Sequence, residues 1–107
     1  MTEQALFILA SLAGGELHGY GIARDVEELS DGQVRLTAGT LYGALNRLSD
    51  EGLVEPAGER QVQGRRRRYY RLTAAGHTAL GAEVERLRRA AATLSARIAA
   101  GPAQAMA

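Results

Sequence analysis

Between residues 60 and 71 the chain reads RQVQGRRRRYYR, placing Arg60, Arg65, Arg66, Arg67, Arg68 and Arg71 in one short segment with no acidic residue among them. A guanidinium is a planar fork of N–H donors that pairs bidentately with phosphate and keeps its charge at any physiological pH. Such a segment suits the holding of a polyanion rather than proton transfer. Its charge is +6, while the remaining seven arginines and twelve acids leave −5, so the net +1 hides a concentrated basic patch. A run of charge by itself usually marks only a solvated surface, and the flanking elements decide its meaning.

Residues of the catalytic kind are sparse. The chain has two histidines, His18 and His77, and no cysteine. That excludes disulfides, thiolate metal sites and thiol nucleophiles. Neither histidine has carboxylates or further ligands recurring at metal or triad spacing, and no glycine-rich phosphate-cradling loop stands in the sequence. No catalytic residue, cofactor or metal ligand is expected. His18 reads as a helix-start residue packed near Tyr20, and His77 as a surface residue in the first turn of the last helix.

A length of 107 residues bounds the chain to one domain with a modest core, which burial against a second copy would enlarge. With 46% hydrophobic and 23% charged residues it has the balance of a soluble globular protein. No apolar run reaches membrane-spanning length, and MTEQALFILASLAGGELHG lacks the basic n-region of a signal peptide. A cytoplasmic location without a membrane partner is the expectation.

The elements that must position the arginines follow from periodicity. Residues 3–13, EQALFILASLA, read as a helix with Leu6, Leu9, Ala10 and Ala13 on one side. Phe7, Ile8 and Leu12 make it apolar nearly all round, so it needs cover on more than one face. Residues 18–30 form a second helix with Ile22, Val26 and Leu29 as its apolar stripe, closed by Asp31-Gly32. VRLT, 34–37, reads as a short extended piece. A third helix runs over 37–52, with Thr37 as N-cap, Leu41, Ala44, Leu45 and Leu48 inward, and Gly52-Leu53 as a Schellman-type stop. Two apolar-alternating pieces, 53–61 and 66–73, flank Gln63-Gly64, the expected hairpin tip. Pro56 confines the first of them to a sheet edge.

Thr73 caps a last helix over 74–100, roughly 39 Å long at 1.5 Å per residue. Its Leu80, Val84, Leu87, Ala91, Leu94 and Ile98 are spaced 4, 3, 4, 3, 4, a heptad seam. A second copy of the chain is the expected partner, with Leu6 and Leu9 of the first helix joining the contact. The expected organisation is 1–73 as a DNA-binding domain, 74–100 as a dimerisation helix and 101–107 as a frayed tail. The expected fold class is mainly α with a two-stranded β wing: a winged helix-turn-helix plus a long C-terminal dimerisation helix.

In such a module the third helix enters the major groove and the wing tracks the backbone or the neighbouring minor groove. With the leucines inward, Thr40, Gly43, Asn46 and Arg47 face out, with Tyr42 at the border. Thr37, Thr40 and Tyr42 offer hydroxyls to phosphate, and Gly39 and Gly43 allow close backbone approach. Asn46 and Arg47 carry groups that pair with adenine and guanine edges. On the wing, strand alternation puts Arg66, Arg68 and Tyr70 on one face and Arg65, Arg67, Tyr69 and Arg71 on the other. Gly64, Arg65 and Arg66 at the tip, with Arg67, complete the expected interface with double-stranded DNA.

LHGYGI (17–22), GTLYGALNRLSDEGLV (39–54) and GRRRRYYRLTAAGHTAL (64–80) together resemble the small PadR-family transcriptional regulators, those with a single C-terminal helix. The resemblance covers about two-thirds of the chain in the right order. It implies a dimeric winged-helix repressor on a pseudo-palindromic operator, nucleoid-associated when DNA-bound, whose C-terminal helix crosses to its partner. It also implies a small-molecule effector at the dimer interface, since some members respond to phenolic or other aromatic compounds. Thr37, Gly39, Thr40, Tyr42, Asn46, Arg47, Gly64 and Arg65 match family positions in or beside the DNA-binding elements. Two positions depart from the family pattern: Arg66 and Gly43 stand where proline is common. With no tryptophan and Phe7 as the one phenylalanine, few residues can stack on an aromatic effector. The alternative reading is a winged-helix protein-interaction module without DNA binding.

Overall fold

A computed structural model describes residues 1–102; of the expected frayed tail, the part from 103 on lies outside the described residues. Four helices and three strands follow in the order α1 (Glu3–Ala13), β1 (Leu17–His18), α2 (Gly19–Leu29), α3 (Ala38–Asp50), β2 (Val54–Val62), β3 (Arg65–Leu72) and α4 (Ala74–Ala100). Each helix begins at a residue whose side chain accepts a hydrogen bond from an otherwise unpaired N–H of the first turn: Thr2, His18, Thr37 and Thr73. The end of α3 is equally local. Gly52 takes φ 77°, its N–H donates to the Ser49 carbonyl and the Leu53 N–H donates to the Leu48 carbonyl at 2.9 Å. That pair of bonds is the Schellman motif expected from Gly52-Leu53.

β2 and β3 pair antiparallel across Gln63-Gly64, with Val62 opposite Arg65. Both turn residues have positive φ, 51° and 78°, as a two-residue type I′ hairpin requires. β2 is an edge strand, which accommodates Pro56. A bulge between Pro56 and Glu59 inserts one residue into it, with Gly58 at φ 91°.

The core is the meeting of α1, α2, α3 and the base of the sheet. Ile8, Leu9, Ile22, Val26, Leu45 and Val54 are its fully enclosed side chains. α1 meets α2, α3, β3 and α4, the cover that its all-round apolarity demands.

Three local expectations are corrected. The wing is not only a two-stranded ribbon: Leu17 and His18 add a third strand, giving the order β1-β3-β2, with Leu17 opposite Tyr70 and His18 opposite Tyr69. Residues 34–37 form no strand. Val34 is instead drawn inward by Ser30, whose Oγ accepts from the Val34 N–H at 2.9 Å. Leu29, assigned to the buried stripe of α2, is exposed, because the inward face continues from Ile22 and Val26 at a spacing of four to Ser30, which is buried and holds Val34.

α4 leaves the domain almost at once. Gly76 is its one buried residue among those described, and Leu80 packs partly against the core. Val84, Leu87, Leu94 and Ile98 then stand 43, 40, 62 and 80% exposed, and the molecule measures 65 × 27 × 21 Å. Among the described residues no helix is long and apolar enough to cross a membrane.

Candidate nucleic-acid interface

The inward stripe of α3, Leu41, Ala44, Leu45 and Leu48, is buried, and this turns Gly39, Thr40, Tyr42, Asn46 and Arg47 to solvent with Gly43 half-exposed. Thr37 is exposed, but its hydroxyl is engaged. Its oxygen accepts from the Thr40 N–H at 3.2 Å, and its hydrogen goes to Thr40 Oγ1 at 3.0 Å. The Thr40 hydroxyl is therefore left with its own hydrogen to donate outward. A Cβ at Gly39 would meet nothing within 4 Å, and one at Gly43 only the Arg47 Nη1 at 4.0 Å. Packing within this chain requires neither glycine.

Tyr42 is 46% exposed, with its ring laid over α2. A Cβ at Gly19 would fall 2.4 Å from the Tyr42 hydroxyl oxygen, so Gly19 makes room for the ring. Tyr42 thus touches the neighbouring helix and keeps an exposed edge.

On the hairpin, register and ion pairs sort the arginines. Tyr70 faces the core, 8% exposed, and Tyr69 lies half-buried on the opposite face. On that outer face Arg71 Nε donates to Glu55 at 2.8 Å and its Nη1 lies 3.7 Å from Glu16, which Arg60 also binds. The Arg60 hydrogen bond, reinforced by the charges of Arg60 and Arg71, holds the Glu16 carboxyl below its usual range. Arg66 lies 3.8 Å from Glu59. Among the described residues Arg65, Arg67 and Arg68 have no acidic partner within 4.0 Å. The block of six therefore divides: Arg60 and Arg71 are held by Glu16 and Glu55, Arg66 makes only a long, solvent-exposed approach to Glu59, and the other three have no acidic partner among the described residues. A hairpin centred on 63–64 would by itself set Glu55 opposite Leu72. The bulge between Pro56 and Glu59 shifts the register and brings Glu55 opposite Arg71, and Glu16 lies far off in sequence, so neither pairing was readable beforehand.

A second cluster joins the start of α2 to β3. His18 Nδ1 accepts from the Gly21 N–H at 3.1 Å. Its ring stacks toward Tyr20, centroids 6.4 Å apart, and meets Tyr69 edge-on at 5.3 Å. Arg60 lies 4.0 Å over Tyr69, while Arg24 and Arg67 approach the Tyr20 ring at 5.8 and 5.9 Å. Arg67 Nε is enclosed without a hydrogen-bond partner. Burial, aided by the charge of Arg67, lowers the His18 pKa and favours the neutral imidazole. Tyr20 stands in the LHGYGI stretch that carries the family resemblance, and Arg24 lies one turn further along α2; no anion contact is expected of either from the sequence. The added strand β1 brings them to the arginines.

Of the residues expected at a partner contact, Leu9 is wholly enclosed in this chain's own core and has no surface to offer a partner. Leu6 and Leu80 are half-buried, and Val84, Leu87, Ala91, Leu94 and Ile98 form an open apolar stripe.

Three helices ending in an outward-facing α3, followed by an arginine-bearing hairpin, define a winged helix-turn-helix protein. Residues 8–82 match the family described as the transcriptional regulator PadR-like family. The chain belongs to this family. It is 44% identical over 75 residues to the transcriptional regulator Rv3488 of Mycobacterium tuberculosis, covering 70% of this chain and 66% of that protein. Curated relatives are longer: the chain spans 24% of one and 66% of another. A PadR family transcription regulator from Clostridium difficile shares the fold with a TM-score of 0.75 and 26% identity, over 88% of this chain and 96% of that one. Bacillus subtilis PadR, solved in complex with operator DNA, matches with a TM-score of 0.68 and 27% identity, over 78% of this chain and 48% of that one.

Proposed function

We propose that the chain is a cytoplasmic, homodimeric repressor that binds a pseudo-palindromic operator in double-stranded DNA. α3 enters the major groove, and the wing follows the backbone. The observation that carries this reading is the pairing of two features around one core. The solvent face of α3 presents Thr40, Asn46 and Arg47 together with Gly39 and Gly43, two glycines that the chain's own packing does not need, and among the described residues the hairpin holds Arg65, Arg67 and Arg68 free of acids. The likeness to a PadR solved with operator DNA supports it. Arg65 at the tip, with Gly64 and Arg66 beside it, grips phosphate or the minor groove. Thr40 and Tyr42 bind phosphate, and Asn46 and Arg47 read base edges. Tyr20 with Arg24 and Arg67 adds a further backbone contact at the start of α2.

Two copies joined through the stripe Val84–Ile98 set two α3 helices about 34 Å apart, one turn of B-DNA. A small-molecule effector, as the family resemblance implies, would sit at the dimer interface that this stripe forms.

The test is binding to duplexes selected from the genome, measured across salt. Affinity falls steeply as salt rises, because each neutralised phosphate releases counterions. Arg65→Ala weakens binding to all sequences and reduces the log–log salt slope by about 1, whereas Asn46→Ala costs about 1–3 kcal/mol at one base position. Salt-independent binding, or equal losses for both variants on every sequence, sinks this assignment of roles. The exposed stripe of α4 favours a second reading, a docking module for another protein; a monomer that ignores DNA and captures a protein partner would support that instead.

A further inference from the structure

The junction between α3 and α4 is built around two successive peptide units. In the first, the Leu53 N–H donates back to the Leu48 carbonyl in the last turn of α3, and the Gly52 carbonyl accepts the Thr73 hydroxyl at 2.6 Å. In the second, the Leu53 carbonyl accepts the Thr73 N–H at 3.1 Å. The same Thr73 oxygen accepts from the Gly76 N–H at 3.0 Å and so starts α4. One threonine therefore caps one helix and bonds the stop of another.

Gly76 completes the contact. A Cβ there would lie 2.0 Å from the Leu53 carbonyl oxygen and 2.8 Å from Leu72 Cδ1. The nearest neighbour is backbone, which cannot swing aside as a side-chain tip can. Gly76 is the one buried residue described in α4 and Leu80, four residues on, packs partly against the core, so these two positions, with the contact that α4 makes along α1, set the heading of this 27-residue helix.

We propose that Thr73 and Gly76 are positioning residues that fix the angle between α3 and α4, and through it the distance between the two half-sites that a dimer recognises. This rests on the operator reading above. Small displacements at the joint are amplified. A retreat of about 1 Å at Gly76, pivoting on Leu80 about 6 Å away, tilts the helix by about 10° and carries its far end about 4–5 Å, using the α-helical rise of 1.5 Å per residue. One base-pair step is about 3.4 Å. Nothing at the joint touches the outward face of α3, so the bases read within each half-site are independent of it.

The experiment uses half-sites selected by the wild-type chain from a randomised duplex pool, then placed in pairs at every centre-to-centre spacing around one helical turn. Gly76→Ala, Thr73→Val and Thr73→Ser are compared with wild type, each first shown by circular dichroism to be folded and by sedimentation to keep the wild-type mass. Wild type and Thr73→Ser are expected to share one sharp spacing optimum. Gly76→Ala and Thr73→Val are expected to shift it by at least one base pair, or to flatten it about tenfold, the scale of a single unfavourable base pair. Their preference for bases inside a half-site stays as in wild type. If Gly76→Ala fails to fold, Thr73→Val decides. Folded variants with an unmoved optimum overturn the proposal, as does a wild type indifferent to spacing. A wild type that selects no DNA at all instead removes the operator reading on which the proposal stands.

Discussion

His18 holds two assignments at once. Its Nδ1 is the acceptor that caps α2, and its ring sits between Tyr20 and Tyr69 beside Arg67. Protonation would remove the acceptor and place a cation against the positive end of a helix and next to a guanidinium. Burial and Arg67 lower its pKa in the fold. For such a group the neutral form is the folded one. Its stabilisation is fully present above the unfolded value of about 6.5 and is lost as pH falls through the lower folded value. Melting temperature should therefore drop for wild type between pH 7 and 5, and drop less for His18→Asn, which caps without titrating. Equal drops in the two proteins would show that His18 is not responsible. The carboxylates Glu16 and Glu83, held low by hydrogen bonds from Arg60 and Arg86, lose their contribution only further down, below about 4.5. In the sequence His18 was legible as a helix-start residue. Its contact with Tyr69 was not, because those residues lie 51 apart and meet only when β1 pairs with β3.

At the level of elements, α3 keeps two glycines that its own packing does not need. Each costs a helix about 1 kcal/mol relative to alanine. Gly39→Ala and Gly43→Ala should raise the stability of the free protein by up to about 1 kcal/mol each, read by denaturant titration, since a Cβ meets open space at Gly39 and only the Arg47 side-chain tip, at ordinary contact distance, at Gly43. Both should weaken operator binding, because the methyl group holds the helix off the groove. Stabilisation without loss of binding would mean that DNA does not approach this face. The helix limits themselves were close to the surface of the sequence. Thr37 and Gly52-Leu53 end α3 through bonds within five residues, and Gln63-Gly64 sets the hairpin register. Strand β1 escaped such reading because two residues make no pattern; only a waiting edge on β3 makes them a strand.

For the whole molecule, the decisive feature is a helix of 27 residues with one buried position and a stripe of exposed leucine, valine and isoleucine. Leu94→Glu with Ile98→Glu should leave the domain's own melting nearly unchanged, within about 0.5 kcal/mol, because both side chains face solvent in the single chain. The same pair should convert the proposed dimer to a monomer in sedimentation. Operator affinity should fall by about 10²–10⁴, the loss expected when two linked contacts become one. An unchanged mass would exclude this stripe as the contact.

What the sequence determined by itself are the features closed by neighbours along the chain: caps, stops, the hairpin turn, the leucine stripe of α3 and the heptad of α4. These depend on bonds and periodicities that span a few residues. Only the tertiary structure decided which arginines are free, since Glu16 reaches Arg60 and Arg71 across the fold. It alone enclosed Leu9, exposed Leu29 and brought Tyr20 to Arg67. The same holds for Gly76, whose pattern in the sequence is a mere helical glycine: its meaning lies in a carbonyl oxygen 23 residues away, where a side chain has no room.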